Sequence, residues 1–374
     1  MKELNGKKFF KDIQAGYLKS RTPQEHLFRL TQSIMNSFKK RHCTVGLFLD
    51  VKAAFDAVWK NGLKLKIKMI GLTKQLENIL FSFLDDRVLR ITIDGIWSGT
   101  VPLNAGTPQG ACLSPILYLI FVNDATDNLN RDLICPSQFA DDIGIWSSGG
   151  SVRETFKKIQ NGVHELEKWC RKWFVQLNPL KSQLVIFTKC PRHKLEIEQC
   201  KPTIRLFNHD IPIVTEATYL GVNFDARLTW ESHFRMMTAK AYKRLNMLRH
   251  LSSLSKTPNP NTMIHLYRSI IMPIFEYGSV CIINAAEVHL NKIQLLQNQA
   301  LRVVTHSPQY ISINDLHDIT GSALIKKHLI QNAKHRIQTM IKNSPIVKEV
   351  IQEHNTLKHI QENASPLDVI ANFR

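Results

Sequence analysis

Three carboxylates hold most of the chemistry this chain can do. Asp50 closes the apolar run Val45-Gly46-Leu47-Phe48-Leu49, and Asp141-Asp142 stand between Phe139-Ala140 and Ile143-Gly144-Ile145-Trp146. Short apolar runs of this kind read as buried strands, so each acid stands where a core strand ends. An Asp pair alone is ordinary turn chemistry, because Asp favours turns. A third acid at the end of a second core strand changes that reading. Asp50 and Asp141 are 91 residues apart, so only the fold can bring them together. Joined, they make a cluster of hard oxygen ligands. Mg²⁺ is usually held by one or two carboxylates plus substrate phosphates, and two such ions roughly 4 Å apart clamp both oxygens of an in-line phosphoryl transfer. Such a cluster suits nucleotidyl transfer.

The segment between the acids adds to this. Gly106, Gln109 and Gly110 lie in a loop ahead of Ser114-Pro115, a helix start with Ser114 as cap and Pro115 at the first helical position. Glycines let backbone approach a ligand closely, and Gln109 can hydrogen-bond it. Around these residues the periodicity predicts a helix over 22–41 with Leu27, Leu30, Ile34 and Phe38 on one face, and a short helix after Asp50. It predicts a helical stretch over 63–84, then a strand from Val88 into an Asp94-Gly95 hairpin turn. An Asp141-Asp142 hairpin, a helix over 152–174 and strands at 184–187 and 217–222 follow. Leu166, Trp169 and Trp173 share a helical face and read as core. Strands and helices alternate to about residue 225, and strand signals then nearly vanish, which marks a domain boundary. Helices are expected at 233–250, 262–275, 285–305 and 324–342, the first two separated by Thr257-Pro258-Asn259-Pro260-Asn261. The class is α+β.

At 374 residues the chain fits two or three subdomains. Its 44% hydrophobic and 21% charged residues describe an ordinary globular protein. A net charge of +18 favours a polyanionic partner, nucleic acid first. The N-terminus has no signal-like apolar region and no run approaches a membrane span, so a soluble intracellular protein of nucleus or cytoplasm, not secreted, is expected. Seven scattered cysteines read as reduced core thiols, and Cys190, His193, Cys200 and His209 match no zinc-ligand spacing. In the 233–250 helix, Lys240, Lys243, Arg244 and Arg249 lie beside the apolar Phe234, Met237, Ala241, Leu245 and Leu248. That basic face is either a phosphate-binding surface or a solvated one.

Five segments, in order and spacing, resemble the polymerase motifs of reverse transcriptases, those of non-LTR (LINE-type), jockey-like retrotransposons in particular. They are Phe48-Leu49-Asp50-Val51-Lys52-Ala53-Ala54-Phe55-Asp56, Gly106-Thr107-Pro108-Gln109-Gly110 through Ser114-Pro115, Phe139-Ala140-Asp141-Asp142, Leu177-Asn178-Pro179-Leu180-Lys181-Ser182 and Tyr219-Leu220-Gly221-Val222. The similarity runs from about Gly16 to about residue 340.

The resemblance implies a right-hand polymerase: partial fingers over 1–44, a palm of antiparallel strands packed on helices over 45–225, and a helical thumb with a C-terminal extension over 226–374. It implies that Asp50 and Asp141 bind two Mg²⁺ ions, with Mn²⁺ as a substitute, aided by the Val51 carbonyl and Asp142. Phe55 would lie under the incoming sugar and exclude a ribose 2′-hydroxyl, although without the resemblance it reads as a core aromatic on a helix. Gln109 and Gly110 would shape the nucleotide and template pocket. Lys181 would protonate the leaving pyrophosphate, and Tyr219, Leu220 and Gly221 would grip the primer end. Lys240, Lys243 and Arg244 would line the thumb. The implied partners are an RNA template, a DNA primer or the RNA–DNA hybrid, and deoxynucleoside triphosphates.

The chain departs from the family pattern in Gly16-Tyr17-Leu18-Lys19-Ser20-Arg21-Thr22, where Arg at 18 and Gly at 20 would be expected. No Arg-Pro fingers segment precedes Gly16, so truncated fingers, and a chain without the family's endonuclease domain, are expected. The implied function is RNA-directed DNA polymerase; the rival is an inactive remnant, or a reused protein, that binds RNA or hybrid.

Overall fold

A computed structural model describes every residue except 255–257, 358, 360–361 and 374. The chain begins with α1 (Lys2–Gly6) and α2 (Pro23–Lys39), then β1 (Cys43–Leu49). The helix expected after Asp50 does not form. Residues 52–57 are consecutive turns, with Ala53 in the left-handed region at φ 48° and the Lys52 N–H donating to Gln176 O at 2.8 Å, so no helical run can start. The 63–84 stretch is two helices, α3 (Lys60–Ile70) and α4 (Lys74–Leu84), separated at Gly71, whose φ of 68° ends α3.

The strand from Val88 is interrupted. β2 (Val88–Leu89) pairs with β5 (Val101–Pro102), and β3 (Thr92–Ile93) pairs with β4 (Ile96–Trp97) across the Asp94-Gly95 turn. Both turn residues have positive φ, 51° and 81°, as a two-residue hairpin demands. Next come α5 (Ser114–Val122), β6 (Cys135–Phe139), β7 (Asp142–Gly149), α6 (Val152–Trp173), β8 (Gln183–Phe187) and α7 (Pro191–Cys200). Short strands β9 (Arg205–Leu206), β10 (His209–Asp210) and β11 (Ile213–Val214) follow, then the hairpin β12 (Glu216–Tyr219) and β13 (Val222–Asp225). Among the described residues everything after Asp225 is helix or loop: α8 (Glu231–Ser252), α9 (Pro260–Ile270), α10 (Met272–Glu276), α11 (Ser279–Ile282), α12 (Glu287–Thr305), α13 (Ile313–Thr320), α14 (Ile325–Asn343), α15 (Pro345–Thr356) and α16 (Pro366–Asn372). In the break before α9, Asn259 caps the helix by accepting from Thr262 N at 2.8 Å; Thr257 lies outside the described residues.

The chain forms two compact units. The first contains residues 1–23, 42–186 and 190–214. Its five-stranded sheet runs β11-β8-β1-β7-β6. β1 pairs antiparallel with β7, and β7 with β6, but β11 pairs parallel with β8, so the sheet is mixed rather than wholly antiparallel. All seven residues of β1 are buried, which explains its unbroken apolar sequence. α6 packs on β1 and β7 through Phe156, Ile159, Val163 and Leu166. Fully burying one such side chain contributes about 1.5–3 kcal/mol, and this row fixes the sheet's register.

Trp169 and Trp173 are core, as their spacing suggests, and they enclose a cation. The Lys66 ammonium sits 3.8 Å from the Trp173 ring centroid and 5.3 Å from that of Trp169, donating to Phe121 O and to the Asp124 carboxylate. Burial, only partly offset by Asp124, pulls Lys66 down to about 8. Of the seven cysteines, Cys43, Cys170 and Cys281 are buried free thiols, whereas Cys112 and Cys200 are exposed.

The second unit contains residues 24–41, 187–189 and 215–374. α2 is not the one-sided helix its pattern suggests. Leu27, Leu30, Ile34 and Phe38 are buried, and so are Glu25, His26, Arg29, Gln32, Asn36 and Lys39 on its other sides. Polar partners from the C-terminal helices meet them. Gln32 bonds His354 at 2.9 Å, Arg336 donates to Gln24 at 2.8 Å, and Lys39 pairs with Asp368 at 2.9 Å. Within this unit α12 packs against α8, α9, α13 and α14, and α8 also contacts β13.

Candidate active site

The acids come together through the β1–β7 register. Leu49 is paired with Ile143, so the next step along both strands sets Asp50 level with Asp142. Asp141 lies in the turn closed by the Phe139–Asp142 pair, beside Ala140, which is held at φ 55°. A segment that sequence reasoning missed holds that turn. The Ala15 N–H donates to Gln138 O at 3.0 Å, and the wholly buried Gln14 accepts through Oε1 from Ala140 N at 3.1 Å and from Gly16 N at 2.9 Å. A Cβ at Gly16 would stand 2.6 Å from Ala140 N, so only glycine fits. No periodic signal marks Gln14, since its partner is 126 residues away.

Asp50 is tied to the Lys181 loop. Its carbonyl accepts from Asn178 N at 2.8 Å, and its N–H donates to the buried Ser182 Oγ at 3.3 Å, which in turn donates to Asn178 O. Val51 faces Leu177 in an antiparallel bridge whose hydrogen bonds come from the flanking residues, so the Val51 carbonyl points away from Leu177. Lys181 itself is exposed.

The glycine loop packs against the turns after Asp50. Thr107 N donates to Phe55 O and Gly106 N to Val58 O, both at 2.8 Å. At Gly106, with φ 81°, a Cβ would meet Asp56 O at 2.7 Å. Gln109 Nε2 donates to Asp56 Oδ1 at 2.8 Å, and the Arg87 guanidinium donates to the carbonyls of Ala105 and Gly106. Ser114 is not the helix cap. Leu113 holds that position, and Ser114 Oγ donates to Pro108 O, closing the loop instead of the helix end. Gly110, at φ 83°, has open space around it. Phe55 is half-buried on the turn segment, its ring stacked on Tyr118.

The electrostatics match the geometry. Crowding by protein, then the charges of Asp141 and Asp50, push the Asp142 carboxyl up to about 6, although much of that residue's surface faces solvent. Like charges held together in this way fit a divalent cation. Among the described residues no group of three or more His, Cys, Asp or Glu side chains is placed to hold a metal ion by itself.

Two groups of expected site residues lie in the second unit. Tyr219 is buried, and Leu220 and Gly221 form the β12–β13 turn with φ of 44° and 76°. Tyr277 Oη donates to Leu220 O at 2.6 Å. Lys240, Lys243 and Arg244 are exposed on α8, opposite the buried Phe234, Met237, Ala241, Leu245 and Leu248.

The chain is 29% identical over 327 residues to a probable RNA-directed DNA polymerase from transposon BS of Drosophila melanogaster, covering 84% of this chain and 34% of that protein. It is 28% identical over 313 residues to the RNA-directed DNA polymerase from mobile element jockey of the same organism, covering 81% of this chain and 33% of that one. The chain thus spans about a third of the length of these curated relatives. Among solved structures, apo telomerase from Candida tropicalis aligns over 94% of this chain and 59% of its own, at 12% identity and a TM-score of 0.43. The family profile "Reverse transcriptase (RNA-dependent DNA polymerase)" matches residues 2–224, which take in Asp50, Asp141, Asp142, the glycine loop and the β12–β13 turn, and the chain belongs to that family.

Proposed function

We propose that this chain is an RNA-directed DNA polymerase of a non-LTR retrotransposon, extending a primer 3′-hydroxyl with deoxynucleotides on an RNA template. The observation that carries this reading is the β1–β7 register, which sets Asp50 beside Asp142 with Asp141 in the adjoining turn. Asp50, Asp141, Asp142 and the Val51 carbonyl would hold two Mg²⁺ ions, or Mn²⁺ in their place. Held there, they would supply Lewis acidity for phosphoryl transfer.

The other roles fall to side chains around them. Phe55 excludes a ribose 2′-hydroxyl by sterics, and Gln109 and Gly110 shape the nucleotide and template pocket. Lys181, on the loop tied to Asp50, donates a proton to the leaving pyrophosphate. Tyr219, Leu220 and Gly221 are assigned to the primer end, and Lys240, Lys243 and Arg244 to the hybrid backbone. Residues 1–44 are read as partial fingers, 45–225 as palm, and 226–374 as thumb and C-terminal extension.

The test is primer extension on poly(rA)/oligo(dT) with Mg²⁺ or Mn²⁺, comparing the chain with Asp141→Asn, with hybrid binding measured alongside. Asp141→Asn is expected to lower extension by about a hundredfold or more while hybrid affinity stays nearly constant, because a metal ligand and not a phosphate contact is lost. Extension lost on chelation and restored by Mg²⁺ supports the cation assignment. Hybrid binding with no extension by either protein leaves the second reading, a hybrid-binding protein without catalysis.

A further inference from the structure

Phe55 stands on consecutive turns, so no helix fixes its side chain. Its backbone is anchored by the Thr107 N–H at 2.8 Å, and its ring is stacked on Tyr118 with centroids 4.7 Å apart and planes at 30°. Tyr118 is 1% exposed, on α5 directly after the glycine loop, and belongs to the core of its unit. A half-buried ring resting on a fully buried one can retreat only if the buried ring moves. Close packing makes that costly.

We propose that Tyr118 is the positioning residue that sets the height of the Phe55 ring and so determines how strictly the site rejects a ribose. The proposal rests on the reading of Phe55 as the residue under the sugar. The Tyr118 hydroxyl is buried and has no hydrogen-bond partner among the described residues. Burial raises its pKa above the usual phenol range, with Asp141 and Asp142 adding to the effect. Ring and hydroxyl are separable by substitution.

The experiment is single-nucleotide incorporation opposite an RNA template, with the deoxy- over ribonucleotide ratio of kcat/KM measured for the unaltered chain, Phe55→Val, Tyr118→Phe and Tyr118→Leu. The ratio is read per active molecule, so a partly unfolded variant does not distort it. Tyr118→Leu removes the stack and is expected to lower the ratio about tenfold through faster ribonucleotide use. Tyr118→Phe keeps the stack and is expected to hold the ratio within about twofold. A Tyr118→Leu protein that uses both nucleotides more slowly at an unchanged ratio overturns the proposal, as does a Tyr118→Phe protein that loses selectivity like Tyr118→Leu. If Phe55→Val leaves the ratio unchanged, the reading of Phe55 fails and the proposal with it; absence of extension by the unaltered chain overturns the polymerase reading itself.

Discussion

At the scale of single residues, the site divides into what the chain announces and what it hides. Asp50, Asp141 and Asp142 are legible because each carboxylate stands directly against an apolar run, where burial would penalise its charge unless a cation or solvent met it. Gln14 and Ser182, which bond the backbone at or beside those acids, and Tyr118, which stacks on Phe55, are not legible, because a buried hydrogen bond or ring stack between distant residues leaves no periodic trace. Ser20 lies between these cases. The family pattern would put glycine there, and the backbone still adopts the conformation glycine favours, at φ 65°. A side chain in that region costs about 1–2 kcal/mol, partly recovered by residues that bond locally. Ser20→Gly is therefore expected to raise stability by about 0.5–1 kcal/mol, net of the extra freedom glycine gives the unfolded chain. Urea unfolding followed by circular dichroism reads this as a higher midpoint at an unchanged slope, and an equal or lower midpoint would show that Ser20 is not strained.

For whole elements, periodicity reports that a helix exists but not how deeply it is buried. The Leu27, Leu30, Ile34 and Phe38 stripe located α2 correctly, yet its polar face is enclosed as well. Its partners His354 and Asp368 lie more than 300 residues downstream. Burial works to raise the Asp368 carboxyl, but Lys39, Ser365 and His354 together outweigh it and hold it below its usual value. α8 carries a similar hidden feature. His233 is 2% exposed at its N-terminal end, where Nδ1 accepts from Asn223 N at 3.3 Å. Burial, with Lys240 adding to it, pulls the imidazolium down to about 4. Between that value and its ordinary 6.5 the unfolded chain binds a proton that the folded chain refuses. Stability is complete above pH 6.5 and drains as pH falls toward 4, by about 2 kcal/mol between pH 7 and pH 5 from this one group. His233→Asn, whose carbonyl can take over the bond from Asn223 N, should flatten the change in urea midpoint over that interval. An equally steep pH dependence in the variant would place the proton uptake elsewhere.

On the scale of the molecule, the loss of strand signals after residue 225 was legible. The hairpin β12–β13 nonetheless belongs with the helices that follow it, because β13 packs on α8 and Tyr277 bonds its turn. The net charge of +18 was legible too, but charge alone does not say which surface uses it. The salt dependence of binding does. Each phosphate neutralised contributes roughly −0.7 to −0.9 to the slope of log K against log salt. If Lys240, Lys243 and Arg244 touch the hybrid backbone, replacing all three with Ala should weaken binding at any one salt concentration and make the slope shallower by about 2–3. These side chains are exposed, so the loss comes without unfolding, and Asp141→Asn serves as the control whose slope should not move. A general basic field predicts something different: a modest fall in affinity with the slope nearly intact, because non-contacting cations act through screened long-range attraction rather than counterion release. Titrations of a labelled RNA–DNA hybrid between about 50 and 200 mM salt separate the two. A slope that stays put in the triple variant would assign the basic face of α8 to solvent and move the search for the phosphate contacts to other parts of the chain.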